Sequence, residues 1–236
     1  MKILLLGAEN SPLIAYLQSM GETVIVTSGP LALDRFMTNL PDFIVSYGYA
    51  HPVDAAILER YTGKAVNLHI GYLPWNRGAN PNLWSFLENS PKGVTVHCLA
   101  AGINTGDIIA QTHVVLTDND TLRTSDQKLH AAVQILFKRH WMAIRAGKCR
   151  YVRQKGKGTC HMPADKATLL PLLTHGWDTP ITTLEAYAAA MPAITPFLEN
   201  EPATSELALV EQHSVLPVPM GDNVKDDVQV EALLTQ

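Results

Sequence analysis

Positive charge is scarce in this sequence of 236 residues, which carries 18 Lys and Arg against 22 Asp and Glu, a formal net charge of -4. Proteins that bind nucleic acid present a positive field to the phosphates, so this balance disfavours a nucleic-acid partner. Long apolar stretches are also missing. The opening apolar run, residues 2–6, ends at Gly7, and it is too short for an export signal or a membrane span. We therefore expect a first buried strand there and no membrane contact.

Cysteine is scarce as well. The three cysteines, Cys98, Cys149 and Cys160, form neither a paired framework nor a metal-ligand spacing. This usage predicts a reducing, cytoplasmic location and no metal site. The length and the 47% hydrophobic content indicate an ordinary packed enzyme with one substantial domain and a smaller appendage.

Apolar strands alternate with helices in the first half of the chain. Because these strands are apolar throughout, they predict a mostly parallel sheet covered by helices on both faces, the doubly wound α/β class. Such sheets bind ligands at the carboxyl ends of their strands. The predicted strands are residues 2–6, 23–27, 43–47, the run ending near Asn67, 93–97 and 108–116, and the predicted helices are 11–20, 54–61 and 125–146.

An Asn-x-His pair, Asn67 and His69, carries the chemistry that the sequence makes most visible. Residues two apart on a strand point to the same face, so the amide and the imidazole converge on one pocket. An amide N–H can stabilise a developing oxyanion, and an imidazole can take the proton of an attacking amine. The pair is therefore typical of acyl transfer, although an isolated Asn-x-His also occurs by chance in ordinary strands.

Two further blocks accompany this pair at matching spacings. With the segments Asn67–Pro81, Gly93–His97 and Asn104–Gln111, the chain resembles the 10-formyltetrahydrofolate-dependent formyltransferase family over about residues 1–155. The resemblance implies a Rossmann-like catalytic domain, which we place at residues 1–158, followed by an appendage at 159–236. It also implies 10-formyltetrahydrofolate as the formyl donor and Asn67, His69 and residue 104 as catalytic residues.

The resemblance further implies where the ligands lie. His51 is either a folate contact or a solvent-facing loop residue, and we favour the second interpretation. Arg77 either pairs with a ligand carboxylate or braces its own loop, and His97 is expected behind the catalytic residues. The folate would contact Gly48, Tyr49, His51, Val53, Ala101 and Gly102, mainly through backbone groups, and the substrate would contact Arg77 and Asn80.

Residue 104 departs from the family pattern. The family has an aspartate there, which is expected to hold the catalytic histidine, His69, and to organise a proton relay, whereas this sequence has Asn104. An asparagine keeps the shape of that side chain but cannot act as a base or stabilise an imidazolium, so a rate loss of about a hundredfold is expected if chemistry limits turnover. Asp107 is not a substitute. Three interpretations stay open: an engineered change, a natural enzyme with another proton path, or a member that binds without turnover.

Several features favour a nucleotide-linked amino sugar as the formyl acceptor. The acidic end of the chain disfavours tRNA. Enzymes that formylate glycinamide ribonucleotide have a phosphate-binding loop after the first strand, and Glu9 in that loop here disfavours this substrate. The loop from Tyr72 to Pro81 resembles that of the amino-sugar enzymes. A homodimer is a further expectation from the family. A basic run is either a solvated turn or a diphosphate clamp; it consists of Lys148, Arg150, Arg153, Lys155 and Lys157.

The appendage is predicted to contain helices at residues 164–173 and 182–190, with an extended, acidic segment after Thr195. The alternative to an enzyme is an inactive relative that binds folate or nucleotide. Turnover restored by Asn104→Asp would favour the enzyme, whereas folate binding without turnover would favour the binding protein.

Overall fold

The computed structural model of the protein describes residues 1–31, 36, 38 and 40–190. Apolar runs form the strands of its main sheet, and four of these strands are buried at all but one residue, as expected for a sheet covered on both faces. The strands are β1 (Lys2–Gly7), β2 (Thr23–Thr27), β3 (Phe43–Tyr47), β4 (Ala65–His69), β5 (Arg77–Gly78), β6 (Gly93–Cys98), β7 (Ile108–His113) and β8 (Cys160–His161).

Six of these strands form one sheet in the order β2-β1-β3-β4-β6-β7. The first four are parallel to one another, whereas β6 is antiparallel to both β4 and β7. The predicted doubly wound, mostly parallel α/β fold is confirmed. The two remaining strands, β5 and β8, form a separate parallel pair.

Helices cover both faces of the sheet. The long helix α4 buries an apolar stripe, which includes Trp141 and Ile144, against one face. Helix α2 lies on the other face, where Ile57 is buried. The side chain of Asp54 caps α2 by accepting a hydrogen bond from the Ala56 N–H. None of the described helices is both long and apolar enough to cross a membrane. The helices are α1 (Leu13–Ser19), α2 (Ala55–Arg60), α3 (Pro81–Leu87), α4 (Leu122–Arg145) and α5 (Ile181–Ala190).

The beginning of the predicted appendage, residues 159–190, packs on α3. Leu169, Ile181 and Leu184 share a buried cluster with Leu83 and Phe86 of that helix. The predicted helix at 182–190 corresponds to α5. Residues 164–173 instead form two short 3-10 helices, Pro163–Thr168 and Leu170–Leu172, because Pro171 has no N–H with which to continue an α-helix. The boundary at residue 158 stays a prediction, and the acidic segment after residue 195 lies outside the described residues.

Candidate active site

The carboxyl end of β4 brings Asn67 and His69 to one face of the sheet, as their spacing predicted. Their neighbours across the antiparallel pairing are His97 and Thr95 of β6. Side chains on opposed strand positions lie within contact distance, so β6 adds a second imidazole to the pair. The amide Nδ2 of Asn67 lies 3.1 Å from His97 Nε2.

Both ring nitrogens of His97 are occupied by hydrogen bonds. Its Nδ1 lies 2.7 Å from the carbonyl oxygen of Cys98, which can only accept, so Nδ1 carries the proton. Nε2 is then an acceptor, and it faces the amide Nδ2 atoms of Asn67 and Asn104 at 3.1 and 3.3 Å. His97 therefore has no lone pair left for a substrate, in agreement with the expected position behind the catalytic residues.

Asn104 lies in the loop between β6 and β7 with a φ of 50°, a left-handed conformation that Asn and Asp adopt more readily than most residues. Its Oδ1 accepts the Gly78 N–H at 2.9 Å, and this bond directs Nδ2 towards His97. The sequence predicted that residue 104 would hold His69. Among the described hydrogen bonds it holds His97 instead, because the antiparallel pairing places that imidazole beside the loop.

His69 is held by a backbone carbonyl. Its Nε2 lies 2.8 Å from the oxygen of Asn76, so Nε2 carries the proton and Nδ1 is left as the basic nitrogen. Gly71 closes the other side of the ring: a Cβ at that position would lie 2.6 Å from His69 Nε2 and 3.2 Å from the Asn76 oxygen. Only a glycine leaves room for this ring position.

Burial keeps both imidazoles neutral. His69 is 6% exposed and His97 is 1% exposed. Burial lowers the pKa of His69 to about 4, although its bond to the Asn76 carbonyl opposes the shift. Burial also lowers the pKa of His97 to about 3, assisted by the charge of His69 when protonated, and the Cys98 carbonyl opposes it. At neutral pH, His69 is therefore ready to accept a proton.

Arg77 braces its own loop, which is one of the two roles predicted for it. Its Nε and Nη2 donate to Gln154 Oε1 at 3.1 and 2.7 Å, and Nη1 donates to the carbonyl of Lys157 at 3.3 Å. The amide nitrogen of Gln154 in turn donates to the carbonyls of Asn104 and Gly106, both at 2.8 Å. Arg77 and the loop of Asn104 are thus joined through one glutamine, and a direct contact of Arg77 with substrate stays a prediction.

The predicted folate loops follow β3 and β6, and the chain leaves these two strands at opposite ends of the sheet because β6 is antiparallel to β4. Tyr49 and Val53 of one loop and Leu99 of the other pack against a single apolar cluster. Tyr49 and His51 form an edge-to-face pair with centroids 5.4 Å apart. The remaining predicted ligand residues lie in these loops or at the start of α3: Gly48 (φ 68°), Ala101, Gly102 and Asn80 (φ 51°).

Sequence reasoning missed a buried polar cluster behind His69. Asn76 is completely buried and Glu88, just after α3, is 5% exposed, and the two side chains form a 2.9 Å hydrogen bond. Glu88 also binds Thr159 and His161, which lie about seventy residues further along the chain. No local pattern signals this pairing, because it depends on the approach of β8 to β5.

Comparison with known proteins agrees with this architecture. The sequence model of the family Formyl transferase matches residues 32–140. The solved formyltransferase PseJ from Anoxybacillus kamchatkensis, in complex with UDP-4,6-dideoxy-4-formamido-L-AltNAc and tetrahydrofolate, is 47% identical; the match covers 80% of this chain and 100% of that one, with a TM-score of 0.77. The chain belongs to the formyl transferase family, as its motifs predicted.

More distant structures share the fold. A 4-N formyltransferase from Francisella tularensis is 18% identical, with a TM-score of 0.64 over 79% of this chain and 87% of its own. The N-formyltransferase from Helicobacter canadensis, solved with folinic acid and dTDP-3-aminofucose, is 19% identical, with a TM-score of 0.58 over 70% of this chain and 71% of its own.

Proposed function

We propose that this protein transfers a formyl group from 10-formyltetrahydrofolate to the amine of a nucleotide-linked amino sugar. The observation that carries the proposal is the neutral His69 beside Asn67 at the carboxyl edge of the sheet, with its Nδ1 left without a hydrogen-bond partner among the described residues. An attacking amine must lose a proton during acyl transfer, and a neutral imidazole nitrogen can accept it.

In this proposal Asn67 stabilises the oxyanion and His69 transfers the proton. One N–H of the Asn67 amide binds His97, and the second is available to the formyl oxygen as negative charge develops on it. His69 Nδ1 takes the proton of the attacking amine and returns it to the departing folate nitrogen when the carbon–nitrogen bond to the folate breaks. The proton is conserved, so no further base is required from Asn104.

Asn104 restricts the rate in this scheme. A carboxylate at this position would face His97 Nε2 at about the present 3.3 Å and would favour an imidazolium there, whereas the Asn104 amide keeps His97 neutral. We expect formyl transfer by this chain to be slower than by its Asn104→Asp variant. The alternative function, binding of folate or nucleotide without turnover, is favoured by this one residue.

The PseJ complex suggests the first acceptor to test. Its ligand carries a formamido group at sugar position 4 on a uridine diphosphate, so the corresponding acceptor is the 4-amine. The basic run supports a diphosphate ligand, since all five of its cations are exposed and two of them, Arg153 and Lys155, flank the Gln154 that holds the Asn104 loop. Guanidinium and ammonium groups bind phosphate oxygens well in such positions.

The experiment is formyl transfer from 10-formyltetrahydrofolate to a panel of acceptors, with the protein as given beside Asn104→Asp. The panel contains UDP-linked and dTDP-linked 4-amino and 3-amino sugars, glycinamide ribonucleotide and initiator methionyl-tRNA. Transfer to a nucleotide sugar supports the proposal. Transfer only to another amine would overturn the acceptor class, and folate binding with no transfer by either protein would favour the binding alternative.

Two smaller expectations accompany this function. We propose a cytoplasmic location, on the basis of the three unpaired cysteines, and a homodimer, on the basis of the family resemblance. Light scattering after size-exclusion chromatography tests the dimer directly, and a mass near 25.8 kDa would contradict it.

A further inference from the structure

Asn76 supplies the carbonyl that fixes His69, and every polar group of Asn76 is hydrogen-bonded. Its backbone N–H donates to Thr159 Oγ1 at 2.9 Å, its side-chain Nδ2 donates to Glu88 at 2.9 Å, and its Oδ1 accepts from Ser90 Oγ at 2.7 Å. Asn76 is fully buried with a φ of 56°. A left-handed asparagine keeps its position only when such contacts determine it.

Glu88 is the centre of these contacts. One oxygen of its carboxylate accepts from Asn76 Nδ2 and from Thr159 Oγ1 at 2.7 Å, and the other lies 2.6 Å from His161 Nε2. Asn76 is thus tied to Glu88 twice, directly through its side chain and through Thr159 from its backbone N–H. A buried carboxylate is costly unless it is well bonded, and its removal would leave the buried Asn76 and the half-buried Thr159 and His161 without this acceptor.

The far side of Glu88 is rigid as well. The His161 ring stacks on Trp84 with centroids 3.7 Å apart and an angle of 5° between the planes. The pairing of β8 with β5 fixes the backbone there, through bonds from Arg77 N–H to the Thr159 carbonyl and from Ala79 N–H to the His161 carbonyl. The start of the predicted appendage therefore reaches the imidazole of His69 through Glu88 and Asn76.

We propose that Glu88 is a positioning residue for formyl transfer, which holds the Asn76 carbonyl against His69 Nε2 and so keeps His69 in the tautomer with a basic Nδ1. The kinetic part of this proposal rests on the proposed function. The tautomer of His69 does not, and it can be measured in the protein without any substrate.

The test combines nitrogen-15 NMR of histidine-labelled protein at pH 7 with steady-state kinetics, and His69→Gln identifies the His69 signals. In the protein as given we expect the Nε2–H tautomer. Glu88→Ala should move the two nitrogen shifts of His69 towards those of a tautomer mixture and should lower kcat about tenfold or more, with KM changed less than about twofold. Kinetics are measured in whichever of the starting protein and Asn104→Asp is the more active background.

Two control variants separate positioning from general stability. In Glu88→Gln the side-chain oxygen can still accept from Asn76 and Thr159, so we expect the tautomer and kcat to be retained. Glu22→Ala removes another buried carboxylate, which is 5% exposed and pairs with the Met1 ammonium and Arg145 far from the site. This variant should lower the melting temperature but leave the His69 nitrogen shifts and kcat unchanged. If Glu88→Ala does not fold, Thr159→Val removes one of the two links and should give the same change, smaller in size.

Unchanged His69 shifts and unchanged kcat in Glu88→Ala, or in Thr159→Val if that variant replaces it, would overturn the proposal. An equal change in Glu22→Ala would also overturn it, because the effect would then be one of stability. If no form of the protein transfers formyl groups, the proposed function fails, and the NMR shifts alone still decide whether Glu88 positions His69.

Discussion

His69 and His97 lie on neighbouring strands with ring centroids 6.4 Å apart, and both are buried and neutral. They differ in how many of their ring nitrogens are hydrogen-bonded within the protein. His97 uses both nitrogens within the protein. His69 uses only Nε2, among the described hydrogen bonds, and keeps Nδ1 available. Burial and a lowered pKa therefore do not by themselves identify a catalytic base. The unused lone pair is the feature that separates the two residues.

The strongest test of this comparison replaces each imidazole with an amide. We expect His69→Gln to lower kcat about 10²- to 10⁴-fold, because it removes the only base that the described part of the site offers to the amine. His97→Gln should cost less than about a hundredfold, since it disturbs the position of Asn67 but removes no group that touches substrate. Steady-state formyl transfer measures both, and equal losses in the two variants would contradict the division of roles.

Gly71→Ala should act on His69 and on the Asn76 carbonyl that holds it. Its Cβ would lie 2.6 Å from Nε2 and would displace the ring from the Asn76 carbonyl, so we expect a loss of about a hundredfold in kcat. Gly21→Ala is the matched control: with a φ of 81° and nothing near its Cβ it should reduce stability but leave kcat unchanged. A fully active Gly71→Ala variant would show that the position of this ring is not critical.

Asn104→Asp should favour the protonated form of His97, because it places a carboxylate beside the imidazole. The new carboxylate would raise the pKa of His97 from about 3, and we expect kcat to rise about tenfold to a hundredfold. An NMR titration of the His97 ring measures the first effect, and steady-state formyl transfer measures the second. A raised pKa with an unchanged kcat would contradict the expected effect of the carboxylate, and single-turnover formyl transfer would then show whether the chemical step itself is faster.

A further effect is expected on stability in acid. Below the unfolded pKa of about 6.5 the unfolded chain binds protons that the folded His69 and His97 do not accept until about pH 4 and 3. Stability should therefore fall as the pH drops from 6.5 to 4, because the unfolded chain binds up to two protons more than the folded protein in this range. Urea unfolding at several pH values measures the slope, and it should be smaller in His97→Gln. The same slope in both proteins would contradict the assigned burial.

The sheet and the Asn-x-His pair were predictable because each depends on short periodicities: apolar strands, and side chains that alternate across β4. The partner of Asn104 was not, since it depends on the antiparallel register that sets Asn67 opposite His97. The cluster around Glu88 was beyond sequence reasoning for the same reason. Its members, Asn76, Thr159 and His161, meet only where β8 pairs with β5.

The most direct test of the account is mass spectrometry of a UDP-linked 4-amino sugar after incubation with 10-formyltetrahydrofolate and enzyme. Three proteins are compared: the chain as given, Asn104→Asp and His69→Gln. We expect Asn104→Asp to produce an N-formyl sugar, which is heavier than the acceptor by CO. The unsubstituted protein should form the same product more slowly, and His69→Gln should form almost none. Equal product from His69→Gln, or none from the first two proteins, would contradict it.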